Sequence, residues 1–206
     1  LSPHFLFRVE EPVEAEHPIG SEQSVEMVPL DDFELASRLS YFLWASMPDD
    51  ELLAAAREGR LQDDAELKRQ MTRMLSGGKV GRASNRVGGF AQSFIEQWLG
   101  TRALGREFKP DPKVAKRYTS ELEGGMKYEP VLFFEDILVN NLSVLNCIEA
   151  DFTYANKSLA RHYGIKGEFR EQPRRVELKA GGHRGGFLSM ASVLAISSYP
   201  HRTSPV

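Results

Sequence analysis

Five histidines, one cysteine and a glycine-framed arginine are the residues whose chemistry must be placed first. His4, His17, His162, His183 and His201 include no pair at the i, i+3 or i+4 step that sets two ligands on one helix face, so no metal site is expected from this chain alone. Cys147 is the lone cysteine, which excludes an internal disulfide, a thiolate zinc set and a Cys-x-x-Cys-His haem attachment. No phosphate-loop pattern and no Gly-x-Ser-x-Gly elbow occurs. The expected cofactor content of the chain is therefore nil.

Two places can still do chemistry. In Gly181-Gly182-His183-Arg184-Gly185-Gly186 the glycines permit close backbone approach and left-handed geometry, while Arg184 has the fork to grip a carboxylate or phosphate. An anionic ligand at the Arg184 turn is one reading; a turn with a solvent-exposed arginine is the other. His162, in Arg161-His162-Tyr163-Gly164, is placed to act as a base, yet a cation at a helix end is also what the helix dipole favours. Thr203 and Ser204 complete the candidate set if the chain brings them back toward Arg184. The carboxylate pairs Asp31-Asp32, Asp49-Asp50 and Asp63-Asp64 fall where helices should begin, and capping explains them without acid–base catalysis.

The elements that must carry these residues are mostly helices. Over 206 residues, 41% hydrophobic and 27% charged residues describe an ordinary globular chain, and a net charge of −3 supplies no broad basic field for nucleic acid. Apolar runs such as Val131 to Phe134 are too short to cross a membrane. Residues 11–28, with Pro12 and Pro18, read as a connecting stretch. Capped by Asp31 or Asp32, a first helix carries Leu35, Ala36, Leu39, Phe42 and Leu43 at helical spacing and stops at Pro48. A second starts near Asp50, buries Leu52, Leu53 and Ala56, and closes at Gly59. A third opens at Asp63 or Asp64, lines one face with Leu67, Met71, Met74 and Leu75, and ends at Gly77-Gly78.

The repeat Val87, Phe90, Ala91, Phe94, Ile95, Trp98, Leu99 predicts a central core helix whose first turn Gly88 and Gly89 weaken, with a later start near Gly89 as the alternative and Trp98 and Trp44 as core aromatics. Asp111-Pro112 should open another helix. From Leu122 to Leu138 the apolar spacing is helical, but Gly124, Gly125 and Pro130 predict a kink or break near Tyr128 to Pro130. Asp151 or Thr153 should open a helix through Leu159 and Tyr163 that Gly164 ends. Arg174 to Lys179 alternates as a strand, so a small β element is expected near residues 174–186, followed by a helix through Leu188, Ala191, Val193, Leu194 and Ile196. The fold class is mainly α, a multi-helix globular domain.

A family resemblance accompanies this reading. Leu30-Asp31-Asp32-Phe33-Glu34-Leu35-Ala36-Ser37-Arg38-Leu39-Ser40-Tyr41-Phe42-Leu43-Trp44, followed by Met47-Pro48-Asp49-Asp50-Glu51-Leu52, resembles the opening of the domain-of-unknown-function family 1592. Phe94 to Leu99 resembles its Gln-Trp-Leu segment, and Asp151-Phe152-Thr153-Tyr154-Ala155-Asn156 with Leu159 to Gly164 resembles its closing motif. Arg184-Gly185-Gly186-Phe187-Leu188, Ala191 to Leu194 and Ser198 to Val206 resemble the start of the neighbouring family 1588. The resemblance thus divides the chain into 1–29, the end of a preceding domain and linker; 30–164, a helical domain; and 165–206, a linker and truncated second domain. It implies a piece of a large, exported, planctomycete-type polypeptide with a cytochrome-c-like haem module elsewhere, and it transfers no catalytic residue. Gly124-Gly125 and Pro130 depart from the continuous charged helix associated with the family.

The function expected is a helical structural or interaction module whose partners are neighbouring domains of the same polypeptide. The alternative is an enzyme domain acting on a polymer or a small oxidisable substrate, with His162, Arg184, Thr203 and Ser204 in a pocket completed by further chain.

Overall fold

A computed structural model describes residues 30–76, 79–81, 86–110, 116–179, 184–199 and 202–203. The connecting stretch before Leu30, Gly77-Gly78, the Asp111-Pro112 start and the Gly181 to His183 half of the turn lie outside them. Seven α-helices occur among the described residues: α1 Asp32–Trp44, α2 Asp50–Arg57, α3 Asp64–Ser76, α4 Arg86–Trp98, α5 Ser120–Val139, α6 Lys157–Tyr163 and α7 Ala191–Ile196. The strands are short: β1 Phe152–Ala155, β2 Arg174–Glu177, β3 Ser198–Tyr199 and β4 Arg202–Thr203. The protein is mainly α.

The acidic pairs cap as their positions require. Asp31 and Glu34 form a reciprocal capping box at α1, with Glu34 N–H donating to Asp31 at 2.7 Å and Asp31 N–H donating to Glu34 at 3.0 Å. Asp49 accepts from the Leu52 N–H at 3.0 Å to start α2, and Asp63 accepts from the Glu66 N–H at 3.3 Å to start α3.

The chain divides into two compact units, each with its own packing. In the first, residues 30–42 and Ser46–Met71, the side chains of Ala36, Leu52, Ala55, Ala56 and Leu61 are buried. The Asp32 carboxylate ties the end of α2 to the start of α1 by accepting from Leu61 N–H at 2.8 Å and Gln62 Nε2 at 2.9 Å. Glu66 gathers Arg60 at 2.6 Å and Arg69 at 2.8 Å, and the bonds from Arg69 and Gln70 hold its carboxyl down to about 2. Leu53 is only half-buried, and Phe42 and Met71, placed on apolar stripes by their spacing, are exposed.

The second unit, Leu43–Ala45 with the residues from Thr72 onward, is built around α5. Eleven residues of α5 are buried, so its apolar positions face inward on nearly every side. The break expected near Tyr128 to Pro130 is absent, and a single helix runs from Ser120 to Val139. Proline removes one backbone donor and crowds the preceding turn, a cost of about 3 kcal/mol. Burial of Met126, Val131, Leu132, Phe133 and Ile137 around it offsets that cost by taking a large apolar area out of water. Gly125 has a separate reason: a Cβ there would sit 2.6 Å from Asn156 Oδ1, so only glycine lets the start of α6 approach.

The helix expected to open at Asp151 or Thr153 begins later. Phe152–Ala155 is a strand, β1, paired antiparallel with β2 in the register Phe152 with Glu177 and Ala155 with Arg174. Asn156 then caps α6 by accepting from the Leu159 N–H at 2.9 Å, and Gly164 closes it at φ 70°. All four β1 side chains are buried, which hides the alternation by which a half-exposed strand is recognised. The small β element is therefore real, a two-stranded sheet in which β1 is buried and β2 largely exposed.

α4 buries only part of the expected stripe. It starts at Arg86, and Val87, Ala91 and Ile95 face the core while Trp98 is 57% exposed. Trp98 is thus not a core aromatic: it caps a surface run with Phe94, packing edge-on to Phe187 at 5.6 Å. Val87, Ala91 and Ile95 make the buried side of α4, and Phe94 beside them stacks on Phe134 of α5 at 5.3 Å. Trp44 is half-buried, its indole N–H donating to the Met74 carbonyl at 3.1 Å and its face covered by Arg86 at 4.7 Å.

Candidate functional site

Position 129 carries a carboxylate at the start of the apolar run Pro130 to Phe134 of α5. Glu129 is 1% exposed, and both of its oxygens are occupied: Oε1 accepts from Thr153 Oγ1 at 2.7 Å and Oε2 accepts from the Tyr163 hydroxyl at 2.5 Å. The Tyr163 oxygen in turn accepts from the Ala191 N–H at 2.7 Å. Arg184 lies 3.7 Å above the Tyr163 ring and donates to the Ser189 carbonyl at 3.2 Å. α5, β1, α6 and the start of α7 are thereby joined through one polar cluster.

The electrostatics follow from burial. Removal from water pushes the Glu129 carboxyl up to about 7, against the bonds from Tyr163 and Thr153 and the charge of Arg184, which pull it down. The Tyr163 phenol is raised as well, by burial and by the neighbouring Glu129. The void at the cluster is about 10 Å³, room for one water molecule, and is walled by Phe152, Leu178, Gly186 and Met190. Chemically this is a carboxyl group and a phenol in direct hydrogen-bond contact, beside a void that admits about one water molecule.

Gly185 and Gly186 close the cluster from outside. A Cβ on Gly185 would stand 2.6 Å from the Ala150 carbonyl oxygen, and Gly186 takes φ 68° with a Cβ position 2.3 Å from the Ile148 carbonyl oxygen. Their lack of side chains lets the turn lie directly on the backbone before β1. Ser189 Oγ accepts from the Gly185 N–H at 2.9 Å and fixes the turn.

A second buried acidic position lies further along α5. Asp136 accepts from Asn140 Nδ2 at 2.5 Å and pairs with Arg175 Nε at 3.5 Å, while the Arg175 guanidinium also covers the Phe152 ring at 4.1 Å. Glu135 accepts from the Gly81 N–H at 3.1 Å. Burial and the Asp136 carboxylate raise the Tyr154 phenol. These contacts fasten β1, β2 and the Gly81 loop to α5.

Of the residues singled out from sequence, Arg184 sits in the polar cluster, half-buried on Tyr163 rather than free in solvent. His162 is exposed beside it, its imidazole held below the ordinary value by partial desolvation and by the Arg184 charge. Thr203 lies on β4, in register with Ser198; its side chain and the whole of Ser204 are outside the described residues. Glu129, Thr153 and Tyr163 as a set were not legible from motifs. The available signal was an acid in Glu129-Pro130-Val131-Leu132-Phe133, a run too apolar to leave that carboxylate in water.

Among the described residues no group of three His, Cys, Asp or Glu side chains is spaced to hold a metal ion, and no helix is long and apolar enough to cross a membrane. Fold and site together define a mainly α module whose central buried polar cluster is internally satisfied. Residues 30–165 match the family described as "PSD4: Protein of unknown function (DUF1592)", more than half of the chain, and the chain belongs to that family. No curated protein and no solved structure matches it.

Proposed function

We propose that this chain is a structural and interaction module in which the pair of buried Glu129 and half-buried Tyr163 clamps the segment that follows the family domain onto the family helices. One observation carries the reading: the hydroxyl of Tyr163, inside the matched region, bonds both Glu129 and the Ala191 N–H, which lies beyond it. Every strong contact of the cluster is spent inside the protein, which suits a joint. In this reading residues 184–206 begin a neighbouring domain of the 1588 type, and the parent is an exported, haem-linked polypeptide; the resemblance supports that part alone. Cell fractionation and a haem stain of the parent test it.

Limited proteolysis tests the joint. Tyr163→Phe should speed cleavage within residues 184–199 while leaving α1 and α2 protected. Unchanged cleavage of that segment would show that the pair does not hold it.

A second reading is favoured by the Glu129 carboxyl, which burial pushes up to about 7 within reach of the Arg184 charge, a value suited to general acid–base work. An enzyme would use His162 and Arg184, with Thr203 and Ser204, on a polymer or oxidisable substrate or an anionic ligand. It requires the cluster to open, and substrate-dependent exposure of Glu129 would support it.

A further inference from the structure

The segment after α6 folds back to β2 and leaves an open groove of about 1000 Å³. Lys157, Arg161, Lys166, Arg170 and Arg174 line it over a floor that includes Ile165 and Pro173, and Glu168 is the one acid on its wall. Arg174 is engaged, lying 4.5 Å over the Phe169 ring and donating to the Glu168 carbonyl at 3.2 Å. The other four cations are exposed and have no carboxylate partner among the described residues. Arg60, Arg69, Lys127 and Arg175, elsewhere, each have one. Five cations against one acid make this concavity positive on a chain whose formal charge is −3.

From this we infer that the groove is a docking site for an extended acidic peptide segment of a partner protein. The inference rests on the reading of the chain as an interaction module, and it names the chemistry of the partner. Separate cations along a partly apolar trough match carboxylates spaced along a peptide with small apolar side chains between them. β2 adds a main-chain feature: it pairs only with β1 among the described strands, and its first residue, Arg174, lines the groove. Nucleic acid fits less well. Arg174 already covers the face of Phe169, leaving the groove no free aromatic platform for a base.

Fluorescence anisotropy of a labelled octapeptide of alternating Glu and Thr, titrated with the 206-residue chain at low salt, tests the inference. Binding should weaken about tenfold or more in Arg161→Glu/Arg170→Glu, since two favourable charge contacts become repulsive. A control with the same charge change away from the groove, Arg57→Glu/Lys116→Glu, should bind as the wild type does. If the first variant fails to fold, Lys166→Ala/Arg170→Ala, which removes charge without reversing it, replaces it with the same expected direction. No binding of the peptide, equal loss in the control, or tighter binding of an oligothymidylate of equal charge would overturn the proposal. The peptide result is independent of the clamp, because proteolysis of Tyr163→Phe reads a different set of contacts.

Discussion

At residue scale the decisive group is Glu129, whose protonated form is favoured by burial. A carboxyl with a folded value near 7 and an ordinary value of 4.5 adds stability that is full below about 4.5 and is lost as pH rises through 7. Complete titration is worth on the order of 3 kcal/mol. His162 acts in the opposite direction, since its lowered value makes stability rise with pH near and below 6.5. Glu129→Gln isolates the first effect: the wild type should lose stability relative to the variant between pH 4.5 and 7, read from denaturant melts at a series of pH values. Parallel curves would mean that Glu129 is ionised in the fold. Tyr163→Phe should cost about 1 to 3 kcal/mol, because it leaves the Glu129 oxygen and the Ala191 N–H without their partner. A loss under about 0.5 kcal/mol would mean that water replaces the hydroxyl.

At the scale of elements, the sequence signals that succeeded were local and those that failed depended on what packs where. Caps at Asp31, Asp49 and Asn156 and the closure at Gly164 act over three or four residues, and three of these four ends were legible as such. The start at Asn156 was missed because a fully buried strand precedes it without alternation. Pro130 signals a break by its own chemistry, but whether a helix tolerates it is decided by apolar neighbours that α4, β1 and α7 supply. In α4 the apolar stripe is wider than the buried face: Val87, Ala91 and Ile95 lie inside it and Trp98 at its outer edge, and spacing does not tell where burial stops. Trp98→Ala should therefore cost about 1 to 2 kcal/mol, less than truncation of a fully buried aromatic. A loss above about 4 kcal/mol would place Trp98 in the core after all. Gly125→Ala should destabilise despite alanine's better helix propensity, since the added methyl displaces the Asn156 cap; urea melts that show a gain would contradict the close approach.

For the whole molecule, membership in the family covers residues 30–165, while the contacts that give Tyr163 its role reach Arg184 and Ala191 beyond it. The central claim is that this polar joint makes the following segment part of the same cooperative structure. Hydrogen exchange read by mass spectrometry in the wild type and in Tyr163→Phe tests it most directly. Peptides spanning residues 187–196 should exchange in step with those from α6 in the wild type, and in the variant they should lose protection by about tenfold or more while α2 is unaffected. If residues 187–196 exchange at the same rate in both proteins, the joint does not hold them and the account is wrong.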